Sequence, residues 1–370
     1  MDHEIGLVES VVGSRTVING REYDYYAVSS YYNLHKDDRV KEAACEAIRK
    51  YGMGPSSAGP NLPLIQVEHN AAEFFEVEKA QYIVSGYLGN MLLVQALRED
   101  YDIVFVDSFS HYSVFDGIRS TGKRIMTFEH LDANDLERKL RETLKPREVP
   151  MVITDGVFPT TGAIAPLKAY ATILASYEHG LLCVDDAHAV GVIGEKGQGT
   201  LEFCGLKGST HYHCGTLSKA FGGHGGIIPG DQELMDKIRR NTRVSVGANP
   251  PPPASAAASA MGMRILMEHP EMRRKLWSNT TYVRAGLREM GFEVDDSPVP
   301  IIPVKALPRM DLKQIYQELE RKGIMLEYVV SRGYSDAPNE DMLCIRIFST
   351  HTRLQMDRLL ETLEDSITNL

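Results

Sequence analysis

Leu181-Leu182-Cys183-Val184-Asp185-Asp186-Ala187-His188 is the stretch that decides the fold of this chain. Four apolar residues in a row fit a strand covered on both faces, and such strands belong to parallel sheets buried between helices. The run ends in a carboxylate, and an imidazole follows three residues later. Ligands of open α/β sheets bind at the carboxyl ends of strands, which makes Asp185 and His188 candidate site residues. Farther on, Thr216-Leu217-Ser218-Lys219-Ala220-Phe221-Gly222-Gly223 sets an amine among hydroxyls and a glycine turn. Glycines let a backbone and a ligand come close, and an amine placed there can form an imine with a carbonyl.

Strand and helix alternate on both sides of this stretch. Residues 82–85 read as a strand, and Gly86-Tyr87 open a helix whose free amides suit a phosphate. Residues 103–106 form a strand ending in Asp107, 124–128 are extended, and Leu136 and Leu140 carry a helix over 135–144. Residues 149–154 lead into Asp155-Gly156, and 166–179 read as a helix stopped by a left-handed Gly180. Further strands cover 211–214 and 226–228. The pattern gives an α/β fold, a mostly parallel central sheet with helices on both faces, over a large domain of residues 52–245. Ahead of it lies an N-terminal segment, 1–51, with a weakly alternating stretch at 8–21 and a helix at 37–51. Gly52-Met53-Gly54-Pro55-Ser56-Ser57-Ala58-Gly59-Pro60 then breaks regular structure. Pro250-Pro251-Pro252-Pro253 is a stiff exit, incompatible with a helix interior. A helical stretch over 254–290, strands near 301–304, 326–330 and 343–348, and a closing helix at 354–367 complete a smaller α+β C-terminal domain, 246–370.

Bulk composition narrows the function. A formal net charge of −10 over 370 residues argues against general affinity for nucleic acid or anionic membranes. No run approaches the roughly 18 apolar residues of a membrane span. Met1-Asp2-His3-Glu4 does not open a basic then apolar leader, so a cytoplasmic location is expected. The five cysteines are scattered and odd in number, which fits reduced, mostly buried thiols. His211 and His213 would share one face of a strand, but with no second ligand group nearby no metal site is expected.

Pyridoxal 5'-phosphate chemistry asks for a Schiff-base lysine, an acid facing the pyridine nitrogen, and donors for phosphate. Lys219, Asp185 and the pair Thr216 and Ser218, helped by the amides of Gly86 and Tyr87, occur in the order that supplies them. His188 could donate to the ring oxygen, and His111, in Ser110-His111-Tyr112-Ser113, could stack on the ring. Taken singly, each residue also has a plainer role: a solvated lysine, carboxylates that cap helices or hold magnesium, structural histidines, a capped turn.

Val184-Asp185-Asp186-Ala187-His188-Ala189-Val190-Gly191, Glu195-Lys196-Gly197-Gln198-Gly199-Thr200 and Gly215-Thr216-Leu217-Ser218-Lys219-Ala220 resemble the α-oxoamine synthase family, within the class II pyridoxal-phosphate-dependent aminotransferases. The resemblance runs over about 85–266, with weaker echoes near Ile302 and in 346–352. It implies pyridoxal-phosphate fold type I and a homodimer with active sites at the subunit boundary. Lys219 would carry the cofactor and shuttle the α-proton, Asp185 would bind the pyridine nitrogen, His188 would contact the ring oxygen, and His111 would lie over the ring. Gly86, Tyr87 and Thr216 would lie along cofactor and phosphate. Arg346, in Cys344-Ile345-Arg346-Ile347, resembles the arginine that clamps the substrate carboxylate, a task for its bidentate fork.

The implied reaction condenses a small amino acid with an acyl thioester, acyl-CoA or acyl carrier, and loses carbon dioxide to give an α-aminoketone. The chain departs from the family in four places. Pro159 stands where a serine usually bonds the ring oxygen, and the loop 59–68 lacks the usual arginine, glycine and histidine. Gly247 or Asn249 replaces the hydroxyl that reaches the partner's phosphate, and the stretch from Arg346 to His351 is short. These differences bear on the thioester half, so transamination, racemisation or aldol cleavage of an amino acid stays as the alternative. A non-catalytic partner subunit is disfavoured by the presence of Lys219, and a nicotinamide dehydrogenase by the lack of GxGxxG after a strand.

Overall fold

The computed structural model describes residues 6–54, 59–206, 208–308, 310–331 and 339–368. The opening Met1-Asp2-His3-Glu4 and the middle of the break, residues 55–58, lie outside the described residues. The N-terminal segment begins with an antiparallel hairpin, β1 (Arg15–Ile18) and β2 (Arg21–Tyr25). Asn19 and Gly20 join them with φ of 49° and 73°, the left-handed pair that an Asn-Gly turn adopts and that matches strand twist.

Seven strands make the central sheet: β3 (Lys79–Ile83), β4 (Ile103–Asp107), β5 (Arg124–Phe128), β6 (Pro150–Asp155), β7 (Leu181–Asp185), β8 (His211–Thr216) and β9 (Gly226–Gly230). Their spatial order is β3-β9-β8-β7-β6-β4-β5, and β9 alone runs against its neighbours. Strands β4, β6 and β7 are buried along their whole length. Their alternate side chains feed two separate cores: Val104, Ile153 and Cys183 on one face, Phe105, Val152 and Leu182 on the other. At about 1.5–3 kcal/mol per buried aliphatic side chain, double coverage stabilises this part of the sheet most. The parallel register sets Asp155 beside Asp185, and Asp185 beside Cys214, at one edge.

The remaining strands are β10 (Ile301–Lys305), β11 (Ile324–Met325), β12 (Glu327–Val329) and β13 (Met342–Arg346). β10, β13 and β12 form a small antiparallel sheet, whereas β11 pairs in parallel with β2. The amide of Arg346 donates to the carbonyl of Tyr26 (2.8 Å) and that of Ser349 to Tyr31 (2.8 Å), which ties residues 26–31 to the end of β13.

Three local readings are corrected. The expected helix over 166–179 covers Leu167–Leu174, and the residues after it close by turns. The left-handed residue there is His179, with φ of 61°, not Gly180. At Gly180 a β-carbon would lie 3.1 Å from the Leu174 carbonyl, a tight fit that glycine avoids. The segment 59–68 is a loop only at its start: Asn61 caps the helix Leu62–Phe75 by accepting from the Leu64 amide, 3.2 Å, and Pro63 falls in the first turn, where no amide is required. The stretch 254–290 is two helices, Pro253–Glu268 and Pro270–Glu289, parted at His269 by the proline that follows.

The helix Pro253–Glu268 packs on Asp38–Tyr51 and Leu62–Phe75 and braces the glycine turn after Lys219. A β-carbon at Gly262 would fall 1.8 Å from the Phe221 carbonyl, so this contact exists only because position 262 has no side chain. No described helix is long and apolar enough to cross a membrane.

Candidate active site

The carboxyl ends of β6, β7 and β8, the start of the helix Tyr87–Ala96 and the end of β13 enclose a cleft of about 520 Å³. All nine residues singled out from the sequence line it: Gly86, Tyr87, His111, Asp185, His188, Thr216, Ser218, Lys219 and Arg346.

Asp185 is buried and fixed from two sides. Its Oδ2 accepts from Asn90 Nδ2 at 2.6 Å and its Oδ1 from the Ala187 amide at 3.0 Å. Asn90 is itself held, donating to Ser113 Oγ at 3.0 Å and accepting from the Cys214 thiol at 3.2 Å. Lys219, half-buried, faces the carboxylates of Asp185 and Asp155 and the guanidinium of Arg346. Burial lowers its pKa to about 8 against the pull of the two carboxylates, with Arg346 adding to the fall.

His188 is buried, and its Nδ1 lies 2.9 Å from the Tyr31 hydroxyl. Burial, then Lys219, Arg346 and His111, hold the imidazole well below its usual pKa and so neutral. Burial raises the Tyr31 phenol, which keeps its proton and is able to donate to Nδ1. Donation from the phenol to Nδ1 would place the imidazole proton on Nε2. His111 caps the helix Tyr112–Arg119, its Nδ1 accepting from the Ser113 amide at 3.2 Å. Its own amide donates to Asp155 Oδ2 at 2.8 Å, and its ring meets Tyr87 edge-on at 6.0 Å.

Thr216 Oγ1 donates to the Gly225 carbonyl at 3.0 Å and accepts from the Ser218 amide at 3.3 Å. A β-carbon at Gly86 would come within 2.7 Å of Thr216 Cβ and 2.8 Å of its hydroxyl, so the helix start and the lysine loop touch only through a glycine. Tyr87 is exposed, and its hydroxyl donates to Asp116 at 2.5 Å.

Arg346 is buried at the end of β13. Its Nη1 donates to the Ala27 carbonyl (3.1 Å) and pairs with Glu327, while Nη2 donates to the Pro159 carbonyl (3.2 Å). Pro159 thus contributes an acceptor where a serine donor was absent, and the buried Thr160 beside it lines the cleft. His213 lies 3.1 Å from Asp186 Oδ2, and among the described residues no group of three or more His, Cys, Asp or Glu is placed to hold a metal.

Sequence reading missed Tyr31, Asn90, Asp155 and Glu327. Asp155 carried the same strand-end signal as Asp185. Tyr31 and His188 are 157 positions apart, and no local pattern links them.

The donor set fits pyridoxal phosphate. A partly neutral amine, a fixed carboxylate and a helix start pressed against a threonine through a glycine meet in one cleft. Fold and site together define a pyridoxal-phosphate enzyme of fold type I. Residues 27–363 match the aminotransferase class I and II family, and the chain belongs to it.

It is similar to the 8-amino-7-oxononanoate synthase of Thermosipho melanesiensis, 33% identical over 97% of this chain and 92% of that protein. It is equally similar to 8-amino-7-oxononanoate synthase 1 of Bacillus subtilis, 33% identical over 99% of this chain and 94% of the other. A solved serine palmitoyltransferase from S. paucimobilis, with bound PLP-myriocin aldimine, superposes with a TM-score of 0.90 at 26% identity, covering 99% of this chain and 93% of that one.

Proposed function

We propose that this chain is a pyridoxal-phosphate-dependent acyltransferase that condenses a small α-amino acid with an acyl-CoA or acyl-carrier thioester. Thiol and carbon dioxide leave, and an α-aminoketone remains. The observation that carries the reading is the meeting of Lys219, Asp185 and Arg346 in one cleft, in a chain that aligns almost end to end with 8-amino-7-oxononanoate synthases.

When bound, pyridoxal phosphate supplies a ring that draws electrons away from the amino acid's α-carbon. Lys219 would hold the cofactor's aldehyde and afterwards carry the α-proton on Nζ. Its pKa of about 8 leaves about a tenth of the amine neutral at pH 7, against about 0.03% for an ordinary lysine. Asp185, steadied by Asn90 and the Ala187 amide, would face the pyridine nitrogen. His188 would donate from Nε2 to the ring oxygen, and His111 would cover the ring. Gly86, Tyr87, Thr216 and Ser218 would surround the phosphate, and Arg346 would receive the substrate carboxylate.

The reading includes a homodimer with shared sites, supported by the exposed apolar side chains Leu62, Ile65, Tyr87 and Tyr112. It also includes a cytoplasmic location and a division of the chain at 51/52 and 245/246.

The test is release of free thiol and carbon dioxide by the holoenzyme, given a panel of amino acids and acyl thioesters separately and together. Both products should appear only with both substrates. Turnover of an amino acid alone would replace this reading with transamination, racemisation or aldol cleavage, the alternative that Pro159 and the altered residues 59–68 favour.

A further inference from the structure

The cleft contains one charged pair in which the two partners are held very unequally. Arg346 has a side chain only 9% exposed, and main-chain carbonyls from two distant segments, Ala27 and Pro159, grip it. Its charged partner among the described residues is Glu327, whose side chain is 41% exposed. The two stand on neighbouring antiparallel strands, where Glu327 is opposite Cys344 and therefore diagonal to Arg346, a spacing that long side chains bridge. Glu327 and Arg346 both line the cleft, so a ligand entering it meets the guanidinium with the carboxylate already paired to Nη1.

A second carboxylate arriving at Arg346 has to share the guanidinium with Glu327 or displace it. Sharing sets two like charges side by side, which is unfavourable. Displacement is open, because Glu327 is partly exposed and can turn toward solvent, whereas Arg346 is buried and held by two carbonyls.

We infer that Glu327 is a specificity-determining residue, a built-in competitor that holds Arg346 in the resting cleft and must yield it to the substrate carboxylate. This rests on the reading that Arg346 receives that carboxylate. The competitor weakens binding of every α-amino acid and selects hardest against acidic side chains, which would bring a further negative charge beside Glu327. Neutral or cationic side chains are the class it admits.

The experiment titrates the holoenzyme with glycine, alanine, serine, aspartate and glutamate, following the absorbance of the bound cofactor, and measures KM and kcat on the substrates that turn over. In Glu327→Gln the Kd and KM for neutral amino acids should fall about tenfold, the worth of one charge-assisted contact no longer contested, with a larger fall for aspartate and glutamate. Acetate should become a stronger competitor in the same variant. Glu327→Ala should move every value in the same direction, which covers a folding failure of the first variant.

Arg346→Gln separates the two ideas. If it weakens binding while both Glu327 variants bind amino acids no more tightly than the unaltered protein, the competitor role is overturned and the arginine reading stands. If Arg346→Gln binds amino acids normally, the arginine reading fails and the competitor role falls with it.

Discussion

Replacing Tyr31 by phenylalanine removes one oxygen and leaves the ring, so it isolates the hydroxyl contact with His188. The hydroxyl lies 2.9 Å from Nδ1, Tyr31 is fully buried, and His188 is nearly so. Deleting the donor leaves a buried imidazole nitrogen without its partner, a loss of about 1–3 kcal/mol. Unfolding entropy of about 2.1 cal/mol/K per residue converts this, for a chain of this size, to a fall in melting temperature of about 1–4 °C. If Tyr31 holds the imidazole proton on Nε2, where the proposed function has it donate to the cofactor, its loss should cost about 1 kcal/mol of that preference, about fivefold in cofactor affinity. Calorimetry of the apoprotein and spectral titration with pyridoxal phosphate read the two effects independently. Unchanged melting temperature together with unchanged cofactor affinity would refute the role given to the hydroxyl.

Three further outcomes are expected. The rate at which apoprotein captures pyridoxal phosphate should climb about tenfold from pH 6 to 7 and level off above about 8, because burial lowers Lys219 and only its neutral form attacks. Asp185→Asn should move that break to lower pH by removing a charge that favours the ammonium, and a stopped-flow profile still rising tenfold per unit between pH 8 and 9 would contradict the lowered pKa. Gly86→Ala puts a methyl group within 2.7 Å of Thr216 Cβ and should weaken cofactor binding at least about tenfold by overpacking, whereas normal affinity by equilibrium dialysis would show that the two loops part freely.

The central sheet was legible because β4, β6 and β7 are covered on both faces and have no need of polar residues until they reach the ligand edge. Lys219, Asp185 and their neighbours were legible for a related reason, since they lie at or just past the ends of strands and inherit their position. Glu327 was not, because its meaning depends on a diagonal contact across β12 and β13 that neither strand discloses alone. The helix Leu62–Phe75 was obscured by Gly59, Pro60 and Pro63, which resemble a loop but include an Asn61 cap and a first-turn proline. Asn19-Gly20 was a hairpin signal that weak alternation around it concealed, and the pairing of β2 with β11 is set by tertiary packing, outside the reach of local pattern.

Arg346 meets Ala27 across 319 positions of sequence, and the wall they form together with Tyr26 and Tyr31 is stitched by main-chain bonds. A nascent chain halted before residue 346 lacks Arg346 and the end of β13, so the cleft beside Lys219 would gape on that side. Neither half of the chain alone contains that wall, so a cut between the two extremities leaves the cleft incomplete unless the pieces stay joined.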